Sequence, residues 1–118
     1  MKKILISLFL LSSIGFAFTL DDFYKLFSYS ADTVFINSIS AINSSPEYEI
    51  IEIQSTNGNI LFKRGSKYYL LTVTKRYQNQ TEVKILPQNS DYSQGSIVPS
   101  HLFGLIDSKL KNPLKEVK

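Results

Sequence analysis

Residues 48–87 read YEIIEIQSTNGNILFKRGSKYYLLTVTKRYQNQTEVKILP. Apolar and polar side chains alternate through much of this stretch, which is the period of a strand with one buried face. Two dipeptides that suit tight turns, Asn57-Gly58 and Gly65-Ser66, interrupt the alternation. The pattern therefore predicts an antiparallel meander of four strands in sequence order, over Tyr48–Ser55, Asn59–Arg64, Lys67–Tyr77 and Thr81–Pro87.

The turns fix a register that the side-chain pattern can test. A type I′ turn at Asn57-Gly58 places Ile53 opposite Phe62, and a type II′ turn at Gly65-Ser66 places Phe62 opposite Tyr69. Both pairings bring apolar side chains together. The first two hairpins therefore predict one continuous apolar face on the sheet.

The third hairpin is predicted to have a longer loop. A two-residue tip would pair Val73 with Lys84, whereas a three-residue tip at 78–80 pairs Val73 with Ile85. Asparagine at the tip tolerates the left-handed conformation that such a loop uses. The resulting core face has nine members: Ile51, Ile53, Ile60, Phe62, Tyr69, Leu71, Val73, Val83 and Ile85.

Two helical segments are predicted before the sheet. Thr19 and Asp22 form a capping box, which indicates a short helix through about Ser28. Ser30 caps a second segment, in which apolar residues recur at helical spacing until residues 43–46 end it. The sequence leaves open whether the two segments form one bent helix.

A final helix follows the sheet. It begins at Pro99-Ser100 and ends at Pro113, and its apolar side carries Leu102, Phe103, Leu105, Ile106 and Leu110. The order of elements predicts an α+β domain with an N-terminal helix or two helical pieces, a four-stranded antiparallel meander and a C-terminal helix. The helices are expected to pack on the apolar sheet face, and the alternative places one helix on each side.

The N-terminal residues have the plan of a secretory signal. Lysines at 2–3 precede the uncharged stretch 4–18, and Gly15 and Ala17 supply the small side chains that a signal peptidase needs before Phe18. The alternative is an uncleaved anchor, but the apolar run is shorter than the about 20 residues of a spanning helix. Cleavage is therefore the preferred interpretation.

This leader defines the predicted organisation and location. The chain divides into a signal peptide at 1–17, a single α+β domain at 18–112 and a flexible basic tail at 113–118. After cleavage near Ala17-Phe18, the domain is expected in the periplasm of a bacterium or outside the cell. With no cysteine, the chain forms no disulfide and carries no cysteine-linked lipid.

The charge balance bears on the expected partners. Of 13 Lys and Arg residues, two lie in the leader, so the remainder nearly balance the 10 acidic residues. A domain without a strong basic patch gives no reason to expect nucleic-acid binding. The membrane is expected to be a partner only transiently, through the signal peptide, or permanently if the leader stays as an anchor.

The junction between the second helical segment and the first hairpin can be compared with known domains. Ala41-Ile42-Asn43 leads into Tyr48-Glu49-Ile50-Ile51-Glu52-Ile53 and then Asn57-Gly58-Asn59-Ile60, before a tyrosine-rich strand, a Val83–Ile85 strand and a helix. Over residues 31–111 this order resembles small envelope domains like those of the outer-membrane-assembly lipoprotein BamC and of short uncharacterised bacterial lipoproteins. The resemblance implies a non-catalytic periplasmic scaffold or binding module. The missing lipid-bearing cysteine is a departure from those lipoproteins.

The second sheet face carries more apolar groups than a face in water needs. Six of its members form a candidate interaction surface: Tyr48, Ile50, Leu61, Tyr68, Leu70 and Leu86. One interpretation is that a short helix over Phe23–Phe27 folds back and covers this face. The other is that a protein partner in the cell envelope binds the face or an exposed edge of the sheet.

Two further functions remain open. A small ligand could bind in an aromatic cavity lined by Phe35, Phe62, Tyr69 and Tyr77. A hydrolase would use His101, the only histidine, but Ser100 beside it on a helix does not face it. No spacing indicates a metal or cofactor site. The preferred function is an exported, non-catalytic interaction module, followed by the ligand binder and then the hydrolase.

Overall fold

The computed structural model describes residues 20–112, so the predicted leader at 1–17 and tail at 113–118 lie outside the described residues. The described chain has an α+β fold of two helices and one antiparallel sheet. The strands are β1 (Tyr24–Phe27), β2 (Tyr48–Gln54), β3 (Asn59–Arg64), β4 (Lys67–Tyr77) and β5 (Gln80–Pro87), and the helices are α1 (Ala31–Asn43) and α2 (Ile97–Lys111). Three short 3₁₀ segments span Leu20–Phe23, Ser55–Asn57 and Gln88–Ser90.

The predicted meander is confirmed, and one strand is added to it. The five strands lie in the order β1-β5-β4-β3-β2. The tight turn between β3 and β4 has the φ pattern of the predicted type II′ turn, because Gly65 has φ of 62° whereas Ser66 does not have positive φ. Phe62 pairs with Tyr69, as this turn requires.

Of the segment predicted as a short N-terminal helix, Leu20–Phe23 is a 3₁₀ turn but Tyr24–Phe27 is a strand, so the prediction of four strands is wrong by one. Tyr24–Phe27 pairs antiparallel with β5, from Tyr24 against Lys84 to Phe27 against Thr81. A helix of this length is marginal on its own, whereas the edge of β5 offers a ready ladder of hydrogen bonds. Phe23 and Phe27 are both buried in this arrangement.

The third hairpin has a two-residue tip, so the predicted three-residue tip at 78–80 is wrong. Tyr77 pairs with Gln80, and the register then shifts at Arg76, which is an extra residue on β4. Such a bulge restores the side-chain alternation that a two-residue tip alone would reverse. Val73 therefore lies opposite Val83 and not opposite Ile85.

A second bulge changes the faces of β2. The loop after β2 is a 3₁₀ turn closed by Gly58, which pairs Ile53 with Ile60, and the register shifts again between Ile50 and Glu52. Ile51 and Ile53 are 44% and 42% exposed, so their assignment to the core is wrong. The bulge instead turns the start of β2 towards the core.

The core is one cluster that draws on both helices and on the sheet. Ser30 caps α1 as predicted, because its hydroxyl accepts a hydrogen bond from the Thr33 amide. Seven of the nine predicted core-face residues are buried: Ile60, Phe62, Tyr69, Leu71, Val73, Val83 and Ile85. Val34, Ala41 and Ile42 from α1 and Val98, Leu102, Phe103, Ile106 and Leu110 from α2 join them.

Candidate functional site

Four of the six predicted surface residues lie on one side of the sheet, here called the outer face. Leu61 pairs with Leu70 and Leu70 pairs with Leu86, so three leucines form a row across β3, β4 and β5. All three are half-buried. Tyr68 is two residues before Leu70 on β4, points to the same side and is 44% exposed.

Tyr48 and Ile50 do not belong to this face. The bulge in β2 pairs Ile50 with the buried Phe62, and Ile50 packs against the core cluster. Tyr48 is only 7% exposed, and its ring meets the Phe62 ring edge-on at 5.7 Å between centroids. Their assignment to the outer face is wrong, because the bulge between Ile50 and Glu52 interrupts the alternation along β2.

The predicted aromatic cavity is not formed by its four residues. Phe62 and Tyr69 stack on each other inside the core, with 5.5 Å between ring centroids. Tyr77 is 72% exposed at the tip of the last hairpin, beyond the bulge at Arg76. Phe35 is half-buried and lines a separate groove of about 540 Å³ between α1 and the loop that follows β2.

His101 has partners that the sequence did not reveal. Its Nδ1 lies 2.7 Å from Tyr48 Oη and 3.8 Å from Glu47 Oε2. Glu47 also accepts a hydrogen bond from Ser45 and lies 3.7 Å from Arg64 Nε. The group joins the start of β2 to the first half of α2. The sequence did not indicate this contact because Tyr48 and His101 are 53 positions apart.

The same contacts change the acidity of Tyr48. Burial raises the pKa of Tyr48 to about 12, the negative charge of Glu47 adds to the rise, and Arg64 opposes it. The folded pKa exceeds the usual value of about 10, so the native state resists losing this proton. The arrangement thus holds a protonated phenol against the imidazole at neutral pH.

We expect the Tyr48→Phe variant to lose about 1 kcal/mol of stability at neutral pH, the usual cost of one buried hydrogen bond. In the parent protein, the contribution of Tyr48 is complete below about pH 10 and is lost as the pH rises to about 12. Urea titrations across this range should therefore show a shallower alkaline decline for Tyr48→Phe. An unchanged decline would contradict the assignment. Tyr69, whose pKa burial raises, and Lys67, whose pKa is raised by its hydrogen bond to Asp91, both contribute to the remaining slope.

A groove at the β1 edge was missed entirely. Seven residues line about 770 Å³ of open space there: Tyr24, Lys25, Leu26, Arg76, Tyr77, Gln80 and Glu82. The groove was not predicted because residues 23–27 were expected to form a helix and not an edge strand. The available signal was Lys25 between the apolar Tyr24 and Leu26, but this alternation breaks at Phe27, and four residues are too few to decide between strand and helix.

Comparison with known proteins adds no relationship, because no protein-family model and no curated protein matches this chain. Among the described residues, no three His, Asp or Glu side chains converge as a metal site requires. None of the helices within residues 20–112 combines the length and the apolar character needed to span a membrane.

Proposed function

We propose that this chain is an exported, non-catalytic interaction module that binds a protein partner of the cell envelope through its outer face. The observation that carries the proposal is the row formed by Leu61, Leu70 and Leu86 across three neighbouring strands. Neighbouring strands lie about 4.8 Å apart, so the row is a continuous apolar strip about 10 Å wide. A sheet face that only meets water has no need of such a strip.

The surroundings of the leucine row resemble the rim of an interface. Glu52 of β2 pairs with Leu61 and lies at one end of the leucine row. Lys63 pairs with Tyr68 in a neighbouring row, two residues further along β3 and two residues back along β4. Thr72 and Lys84 pair with each other along the other flank of the row. An apolar centre with a polar border and a partly exposed tyrosine is the usual composition of a protein-binding patch.

We also infer that both helices cover the opposite side of the sheet. Ile60, Leu71 and Ile85 pair with one another and alternate along their strands with the outer-face leucines. Buried residues of α1 and α2 belong to the same cluster as these three. This arrangement favours one covered face and one free face over the alternative with a helix on each side.

Export is the part of the proposal that can be tested first. Purification of the protein from a bacterium that expresses the full gene, followed by N-terminal sequencing, should return Phe18 as the first residue in the envelope fraction. Recovery of an intact Met1 chain in the cytosol would contradict export. Recovery of the intact chain in the membrane would instead assign the leader as an anchor.

Binding at the outer face is tested by site-specific photo-crosslinking in the intact envelope. A benzoylphenylalanine at Tyr68 should give one discrete adduct, and adding Leu70→Ser should reduce its yield about two- to fivefold, since a partner buries only the exposed remainder of a leucine whose full burial contributes about 1.5–3 kcal/mol. The same photoreactive residue at the exposed Ser108 of α2 should give no adduct.

Stability measurements separate binding from folding. Because Leu70 is half-buried, Leu70→Ser should lower the free energy of unfolding by only about 1–2 kcal/mol, less than a fully buried leucine would lose. Urea titration of the purified variant checks this value. A loss of about 4 kcal/mol or more would assign the leucine row to the core and contradict the proposed surface.

A further inference from the structure

The groove at the β1 edge, here called the β1 groove, offers two tyrosine rings to solvent. Tyr24 is 37% exposed, Tyr77 is 72% exposed, and both line the groove. Tyr24 pairs with Lys84 and Tyr77 pairs with Gln80, and both partners point to the same side of β5 as Leu86. Lys84 does not line the groove itself, and its Nζ lies 5.9 Å from the Tyr24 ring centroid, a cation–π contact that helps to fix this ring. The two rings therefore supply aromatic surface on the outer face, at one corner of the sheet.

An ion pair lines the same groove. Arg76 Nη2 lies 2.6 Å from Glu82 Oε1. The Glu82 side chain is only 17% exposed, whereas the Arg76 side chain is 51% exposed, so the carboxylate lies deeper than the guanidinium. Within residues 20–112, Glu82 Oε2 accepts no hydrogen bond and the Arg76 guanidinium donates no second one. The pair is therefore neutral as a whole, yet it keeps an acceptor and several donors for a ligand.

The other charges near the β1 groove are of both signs. Lys25 also lines it, but Lys25 pairs with Val83 and points to the other side of the sheet, where its Nζ lies 5.7 Å from the Phe27 ring centroid. Asp22 and Asp107 lie with Lys25 around an adjoining groove. This distribution of charge favours neither an anionic nor a cationic ligand.

The chemistry of a matching ligand follows from these side chains. An anion would meet the like charge of Glu82, and a cation would meet that of Arg76. A purely apolar ligand would remove water from the ion pair without replacing its hydrogen bonds. Adjacent hydroxyl groups can donate to Glu82 and accept from Arg76, and the Gln80 amide can do both. Pyranose sugars carry such hydroxyl groups around a neutral ring whose C–H faces pack on aromatic rings.

We propose that the β1 groove binds a neutral glycan, with pyranose rings stacked on Tyr24 and Tyr77 and with hydroxyl groups bonded to the Arg76–Glu82 pair. The groove offers about 770 Å³ of open space along the sheet edge, which is room for several linked sugars. An exported protein meets such chains in the glycan strands of the cell wall. The inference rests on the export step of the proposed function for the source of the ligand, and not on the protein partner.

The first test titrates the purified protein with chitotetraose, a neutral and soluble oligomer of N-acetylglucosamine, by isothermal calorimetry. The parent protein should bind it saturably. Tyr77→Ala should weaken binding about two- to tenfold, the effect of one lost stacking contact, whereas Tyr77→Phe keeps the ring and should stay within about twofold of the parent. Tyr68→Ala is the matched control, because Tyr68 is an exposed tyrosine at the opposite end of β4 and should leave binding unchanged.

Glu82→Gln tests the polar half of the site. The variant keeps an oxygen acceptor but loses the charge that strengthens hydrogen bonds and holds Arg76, so chitotetraose should bind about three- to tenfold more weakly. An anionic ligand would instead gain affinity, because the repelling charge is gone. Urea titration should show that Tyr77→Ala and Glu82→Gln both remain folded, so that a loss of binding reports on the groove.

Sedimentation with insoluble cell-wall peptidoglycan identifies the source of the glycan. The protein should sediment with peptidoglycan from which an amidase has removed the stem peptides, and Tyr77→Ala should reduce the sedimented fraction. Binding of chitotetraose without sedimentation would support the groove and assign the ligand to a free oligosaccharide. Sedimentation only with the intact, peptide-bearing material would assign the ligand to the peptides and overturn the proposal.

Two further results would overturn the glycan assignment: no saturable binding of chitotetraose, or binding that Tyr77→Ala and Glu82→Gln leave unchanged. Failure of the outer-face partner has a different signature, because it would abolish crosslinking at Tyr68 and leave chitotetraose binding intact. An unprocessed N-terminus would reveal a failure of export, and calorimetry would still report on the groove.

Discussion

Phe62→Ala is expected to lower the free energy of unfolding by about 3–5 kcal/mol, the range for removing a buried phenylalanine. Phe62 has no exposed surface, meets the Tyr48 ring edge-on and stacks on Tyr69. The substitution therefore removes the centre of a three-ring cluster and leaves a cavity. Since small domains have only about 5–15 kcal/mol of stability, urea titration should find the variant close to unfolded at 37 °C.

Ile53→Ala is the control, because the predicted register placed Ile53 opposite Phe62 in the core. The structure pairs Ile53 with Ile60 at the outer end of an edge strand and leaves 42% of its surface exposed. The loss should therefore stay within about 1 kcal/mol. Comparable losses for both variants would contradict the bulged register and support the simple hairpin.

The sequence was sufficient where local turn chemistry alone decides the pairing. Gly65-Ser66 sits between two strands with clear alternation, and the predicted bounds and register of that hairpin are confirmed. A glycine at the first central position restricts the turn type, and the turn type then fixes every pair in both strands. The N-cap role of Ser30 could likewise be predicted from the sequence, because an N-cap interacts only with the next few residues.

The two bulges needed information that the sequence does not carry locally. In β2 the adjacent Ile50 and Ile51 break the alternation, so either Tyr48 with Ile50 or Ile51 with Ile53 can face the core. Burial of Tyr48 against Phe62 and His101, both distant in sequence, favours the first set. Beyond the bulge, Ile53 returns to the same side opposite Ile60 but stays exposed at the edge of the sheet. Tertiary packing therefore decides the face, and the bulge accommodates it.

The same reasoning explains which surface residues were found. Leu61 and Leu70 lie on the predicted side because the Gly65-Ser66 turn fixes β3 against β4, and Leu86 does so because the bulge at Arg76 restores the alternation between β4 and β5. The β1 groove was missed because a four-residue strand gains its stability from β5 and not from its own pattern. The secondary structure of so short a segment depends on the strand with which it pairs.

Gly58→Ala is the second substitution with a large expected effect. Gly58 closes the loop after β2 with φ of 69°, and its carbonyl accepts a hydrogen bond of 2.8 Å from the Val73 amide. A Cβ at this position would lie 2.7 Å from the Val73 carbonyl oxygen, which belongs to the backbone of a central strand. The left-handed conformation costs an alanine about 1–2 kcal/mol, and the clash adds to it, so we expect a loss of about 2–4 kcal/mol.

Gly65→Ala separates the two contributions. Gly65 has a similar φ of 62°, but a Cβ there would meet no atom within 4 Å. Its substitution should cost only backbone strain, because the first central position of a type II′ turn is also unfavourable for an alanine, by about 1–3 kcal/mol, but involves no clash. The excess loss in Gly58→Ala, measured by urea titration of both variants, then reports how rigidly the loop is held against β4. If the two losses are equal, the loop moves aside at no cost, and the bond between Val73 and Gly58 does not fix the register of the first hairpin.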